Sequence, residues 1–202
     1  MQAILKLSKA IDWLNGQIGK LVIWLILGST AISALNAVVR KVFNNSSNAY
    51  LEIQWYLFAA SFLIAAGYTL LNGEHVRIDV VSSKLSKRAQ IWIDVFGSAV
   101  YLIPFCVAIL WFSIPFVIKG FQTGEMSSNA GGLIRWPVYT MMPLGFGLLL
   151  LQAVSELIKR LAFLMGLIED PTHKKVAKTA EEELAEAILK LAEEKAAKAK
   201  SA

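Results

Sequence analysis

Among the 202 residues there is one cysteine, Cys106, and there are two histidines, His75 and His173. A single thiol excludes an intrachain disulfide framework and any zinc site built from cysteines. Both histidines lie outside the long uncharged stretches described below, which excludes a haem clamped between two helices by paired imidazoles. Charge is scarce too: 17% of the chain is charged and 56% is hydrophobic, against about 25% and about 45–50% for an ordinary soluble domain. Disorder is thereby excluded, since disordered segments combine low hydrophobicity with high charge. The chain holds no Gly-rich phosphate loop of the Walker type and no Gly-x-Ser-x-Gly nucleophile elbow, so no catalytic constellation is expected. The net charge of +5 suits a membrane surface on so apolar a chain and calls for no nucleic acid.

What is present is a set of four charge-free runs. Lys20 and Arg40 enclose 19 uncharged residues, Glu52 and Glu74 enclose 21, Asp94 and Lys119 enclose 24, and Arg135 and Glu156 enclose 20. Crossing about 30 Å of hydrocarbon takes about 20 residues of helix, and a spanning segment must be helical because its backbone groups find no water. The expected fold class is therefore an all-α membrane protein with four transmembrane helices at about 21–39, 53–73, 95–118 and 136–155. The four-span domain is placed at 1–165 and a charged tail at 166–202. The first span begins too late and runs too long for a cleaved signal sequence, so it is expected to be retained.

Orientation follows from the basic residues. Lys6, Lys9 and Lys20 precede the first span, Arg77, Lys84, Lys87 and Arg88 lie in the central connection, and nine more follow from Lys159 onward. Only Arg40, Lys41, Lys119 and Arg135 fall on the other side. The positive-inside rule then puts both termini and the central loop in the cytoplasm.

The flanks carry patterns of their own. Ile4, Leu7, Ile11, Leu14 and Ile18 recur every three or four residues, which predicts an N-terminal amphipathic helix lying in the membrane interface, with a bend at Asn15 and Gly16. From Thr179 the chain is rich in Ala, Glu and Lys, and Thr179 with Glu182 forms a capping box, predicting a C-terminal cytoplasmic helical tail. Within the spans, Asn36 and Gln152 are expected to hydrogen-bond between helices. Ser29 with Ser33 and Ser61 with Ala65 are small pairs that permit close packing. Pro104 and Pro115 should distort the third span. No acid or base lies within any span, which argues against a chain that transports an ion or carboxylate alone.

At the end of the second span the chain reads Gly73-Glu74-His75-Val76-Arg77-Ile78-Asp79-Val80, and Glu52, Gln54 and Trp55 stand at that span's start. In this four-span layout the pattern resembles the small membrane subunit of tripartite ATP-independent periplasmic (TRAP) transporters, the DctQ-type family, over roughly residues 15–165. The resemblance implies two partners: a large permease subunit that carries sodium-coupled transport, and a periplasmic substrate-binding protein that captures a substrate, commonly an organic acid. It implies no cofactor and no enzymatic activity, and residence in the bacterial inner membrane in contact with lipid. The family pattern falls on Glu52, His75, Arg77 and Asp79. The Gly-rich loop from Lys119 to Arg135 adds Glu125 and Arg135 as docking candidates. The tail after Asp170 is outside the family pattern. The alternative from the residues alone is a membrane anchor or assembly subunit of another inner-membrane complex.

Overall fold

A computed structural model describes residues 2–44, 47–74 and 85–168. Four long helices account for nearly all of them: α1 (Gln2–Phe43), α2 (Asn48–Asn72), α3 (Lys87–Thr123) and α4 (Trp136–Leu164). Each is long and apolar enough to cross a membrane. Every predicted span lies within one of these helices save the last residue of the second, but the helices run beyond the spans. The expected cytoplasmic tail lies outside the described residues.

Helix α4 is the hub, packing against α1, α2 and α3, while α3 rests chiefly on α4. Close approach is set by glycines more than by the small pairs of the sequence. A Cβ added at Gly145 would stand 2.5 Å from the Leu63 carbonyl oxygen, and one at Gly67 would meet the Leu148 carbonyl oxygen at 3.1 Å as well as the Asn15 side chain. At these two crossings α2 and α4 therefore touch backbone to backbone, which only glycine permits. Ser29 is buried and donates 2.9 Å to the Gln54 carbonyl across the α1–α2 seam. Ser61 is also buried but donates within its own helix, to Phe58.

Interior and exterior are reversed relative to a water-soluble domain. Buried side chains include Ser8, Asn15, Ser29, Glu52, Gln152, Ser155, Glu156 and Arg160, whereas Phe62, Trp111 and Phe112 are each more than 70% exposed. This is the distribution expected when the outer solvent is hydrocarbon, in which apolar surface has nothing to gain from burial and polar groups must find one another.

Helix α1 is one 42-residue element that includes Asn15 and Gly16, so no break in the helix separates the N-terminal segment from the first span at the bend expected there. Ile4, Leu7 and Leu14 of the apolar stripe are exposed, and the packed face carries Ser8, Ile11 and Asn15 instead. The physical reason is that this polar face has partners on α4, described below, so continuing the helix satisfies buried polar groups that an in-plane helix would leave to the headgroups.

Proline acts locally in α3. Residues Ser98–Leu102 form a π turn, closed by the Ile103 N–H donating to the Ser98 carbonyl. Pro104 follows at once. Its ring lacks an N–H and crowds the carbonyl four residues back, and widening the turn by one residue relieves both problems. Helices α2 and α3 each stop on a left-handed glycine, Gly73 at φ 71° and Gly124 at φ 59°. In both, the next N–H folds back to the last turn: Glu74 to Thr69 at 3.2 Å and Glu125 to Gly120 at 3.4 Å. That closure needs positive φ and hence glycine.

Candidate functional site

Polar residues gather at the two ends of the bundle. At the end shared by the start of α1 and the close of α4, the sequence places Ser8, Asp12 and Asn15 at helical spacing on α1 and Gln152, Ser155, Glu156 and Lys159 likewise on α4. The two stripes face each other. Ser8 and Ser155 hydroxyls meet at 2.7 Å, and Asn15 Nδ2 donates to Gln152 Oε1 at 3.0 Å. Gln152 Nε2 donates to Asp12 Oδ1 at 2.8 Å and to Glu156 Oε1 at 3.2 Å. The Asp12 carboxylate also accepts from Ser155 Oγ at 2.8 Å and from Lys159 Nζ at 2.9 Å.

The network reaches α3. Lys159 also pairs with Glu156, Arg160 donates to Glu156 Oε2 at 3.0 Å, and Arg160 Nε lies 3.3 Å from Asp94 Oδ2. Three carboxylates (Asp12, Asp94, Glu156) and two cations (Lys159, Arg160) thus bind α1, α3 and α4 into one bracket. Removing water strengthens each contact, provided every member is paired. In the sequence Glu156 was legible only as the charge that bounds the fourth span, Lys159 and Arg160 as basic residues following it, and Asp12 as a charge off the N-terminal apolar stripe. The signal available was the Glu156-Lys159-Arg160 spacing, whose i,i+3 and i,i+4 positions share one helix face.

At the far end, Glu52 opens α2 and is 1% exposed. Its Oε2 accepts from the Leu133 N–H at 2.6 Å and its Oε1 from Asn129 Nδ2 at 2.9 Å. An ionised carboxylate only accepts, and both partners are donors, so the match is complete. The loop after α3 folds into a tight hairpin for this purpose. The Ser127 N–H donates to Leu133 O at 2.9 Å and the Arg135 N–H to Glu125 O at 2.9 Å. Gly132 sits where a Cβ would stand 2.9 Å from Asn129 O and 3.0 Å from Glu52 Oε1. Asn48 and Tyr56 of α2 add bonds to Ala130 O at 2.9 Å and Ile134 O at 3.1 Å.

Glu125 and Arg135 meet in the same hairpin. Arg135 Nη1 and the Tyr139 hydroxyl both donate to Glu125 Oε1, each at 3.0 Å. Hydrogen bonding to Tyr139 and Glu125 pushes the Arg135 guanidinium further into its charged range.

The fold therefore unites three of the six sequence candidates, Glu52, Glu125 and Arg135, in one locked loop, where each bonds within the chain. His75, Arg77 and Asp79 lie outside the described residues. Gln152 bonds between helices as expected. Asn36 does not: its Oδ1 is buried without a hydrogen-bond partner, although the residue borders two cavities at the α1–α2 seam. Among the described residues no group of three or more His, Cys, Asp or Glu is placed to hold a metal.

Comparison with known proteins follows this geometry. The model of the family described as tripartite ATP-independent periplasmic transporters, DctQ component, matches residues 29–163. The match takes in the far-end hairpin and the α3 and α4 members of the bracket, and begins after Ser8, Asp12 and Asn15. No curated protein and no solved structure matches the chain.

Proposed function

Because the chain belongs to the DctQ component family of tripartite ATP-independent periplasmic transporters, we propose that it is the small, noncatalytic membrane subunit of such a transporter. In this reading it scaffolds a large permease subunit and helps dock the periplasmic substrate-binding protein during sodium-coupled uptake of an organic acid. Both termini face the cytoplasm of a bacterium and the far-end hairpin faces the periplasm.

One observation carries the proposal. The bundle uses its charged groups to brace itself at both ends and leaves its outer faces apolar, with Phe58, Phe62, Trp111 and Phe112 exposed. Such a body supplies a fixed wall against which a second set of helices can pack or move, and it offers no charged path through its centre. The hairpin clamped by Glu52 gives the periplasmic end a defined shape, and pre-ordering of that kind lowers the entropy lost on docking. Glu125 and Arg135 stand in that hairpin as candidates for contact with the binding protein, and Glu52 acts through the loop it holds. His75, Arg77 and Asp79 are assigned to the cytoplasmic contact with the large subunit.

Co-expression with a large multi-span permease of a TRAP system, followed by purification in mild detergent and reconstitution, tests this. The expected result is a stable complex whose sodium-driven uptake requires both membrane subunits and the binding protein. Recovery with a soluble oxidoreductase or ATPase, or uptake by this chain reconstituted alone, would contradict it.

A further inference from the structure

Two cavities meet at Asn36, on either side of the α1–α2 seam at the far end of the bundle. The first, about 460 Å³, is lined by Ser33, Asn36, Arg40, Lys41, Asn44 and Gln54 together with Ala37 and Leu51. The second, about 330 Å³, is lined by Ile32, Leu35, Val39 and Tyr50 with Asn36 and Ser47. We propose that this pair of cavities is a binding site for one anionic phospholipid, with the phosphodiester on Arg40 and Lys41 and the upper acyl chain along Ile32, Leu35 and Val39.

Two features argue for that occupant. Arg40 and Lys41 stand in the last turn of α1, and neither has an acidic partner among the described residues. Helix C-termini favour cations, but that accounts for their sign and not for the cavity they border. A guanidinium beside an ammonium matches the planar and point-charge recognition of a phosphate. Next, the order of chemistry along α1 is that of a lipid. Ile32 lies eight residues before Arg40, about 12 Å along the axis, so the apolar cavity falls on the hydrocarbon side and the cations on the headgroup side, with Tyr50 at the boundary where aromatic rings are favoured. An acidic segment of a partner protein would satisfy the cations but has no use for the apolar cavity below them.

The proposal rests on the membrane-spanning reading and is independent of the partner subunits. Native mass spectrometry of the full chain released from detergent tests it, with dioleoyl phosphatidylglycerol, dioleoyl phosphatidylcholine and soluble glycerophosphoglycerol as probes. Retention of phosphatidylglycerol about tenfold over phosphatidylcholine is expected, with no adduct of the deacylated headgroup at the same concentration. The R40Q/K41Q variant should lose that preference. R40K/K41R should keep it, and so should K119Q, which removes an exposed charge from the same end of α3. Equal retention of the two dioleoyl lipids, or equal loss in K119Q and R40Q/K41Q, would overturn the proposal. So would tight binding of glycerophosphoglycerol, which would make the site a simple anion pocket.

Discussion

Replacing Gln152 by leucine removes the centre of the bracket between α1 and α4 while nearly conserving volume. Gln152 is fully buried and makes three bonds: to Asn15 at 3.0 Å, Asp12 at 2.8 Å and Glu156 at 3.2 Å. The cavity contribution is small for a swap of this size, so the cost comes from the polar groups left behind. Asp12 keeps Ser155 and Lys159, and Glu156 keeps Lys159 and Arg160. Asn15 keeps only a long bond to Ile11 O at 3.4 Å. Interhelical bonds in membranes average about 0.6 kcal/mol and reach about 1.7, while bonds to charged groups are worth about 1.5–3 kcal/mol. The expected loss is about 2–4 kcal/mol, read from reversible unfolding in mixed micelles by tryptophan fluorescence. Adding Asn15→Leu should cost less than the sum of the two single variants, because it removes the stranded partner. A Gln152→Leu protein within about 0.5 kcal/mol of the parent would refute a bracket whose members depend on one another.

Other expectations follow from single contacts. Gly145→Ala puts a methyl 2.5 Å from the Leu63 carbonyl oxygen, with backbone on both sides and no flexible group to yield, so α2 and α4 must part at a cost of about 1–3 kcal/mol, visible as a lower Tm in detergent. In Glu52→Gln, an amide NH2 turned toward either the Leu133 N–H or Asn129 Nδ2 replaces an acceptor by a donor, so amide exchange across residues 126–134 should quicken by about tenfold or more; unchanged exchange would mean the loop is held by its own turns. Cysteines at positions 8 and 155, where the serine oxygens stand 2.7 Å apart, should form an intrachain disulfide in a Cys106→Ser background, since the two side chains meet directly across the α1–α4 contact. An in-plane N-terminal helix would give no such cross-link.

The rods themselves were legible because a charge in hydrocarbon is costly, and a gap between charges is a one-dimensional property. The ends of the helices were not. Glu156, Lys159 and Arg160 are charges that should stop a span by that criterion, yet α4 continues through them to Leu164, since Lys159 and Arg160 find Asp12 and Asp94 on neighbouring helices and Glu156 pairs with both cations along α4. The packed face of the N-terminal segment was not legible either: apolar periodicity finds the packed face of a helix in water, but here Leu7 and Leu14 face outward and Ser8 and Asn15 face in. Asn36 and Gln152 looked alike in the sequence, and only the position of neighbouring helices distinguishes a bonded amide from one whose oxygen is left without a partner.

From the string of residues alone come four helical rods, the connections between them and the family motif, since all of these depend on what stands nearby in the chain. Which face of each rod turns inward was decided by the tertiary structure. In a hydrocarbon solvent burial does not rank one apolar face above another, so the choice falls to glycines and polar groups whose partners lie far off in the chain, as Ser8 with Ser155 and Glu52 with Leu133.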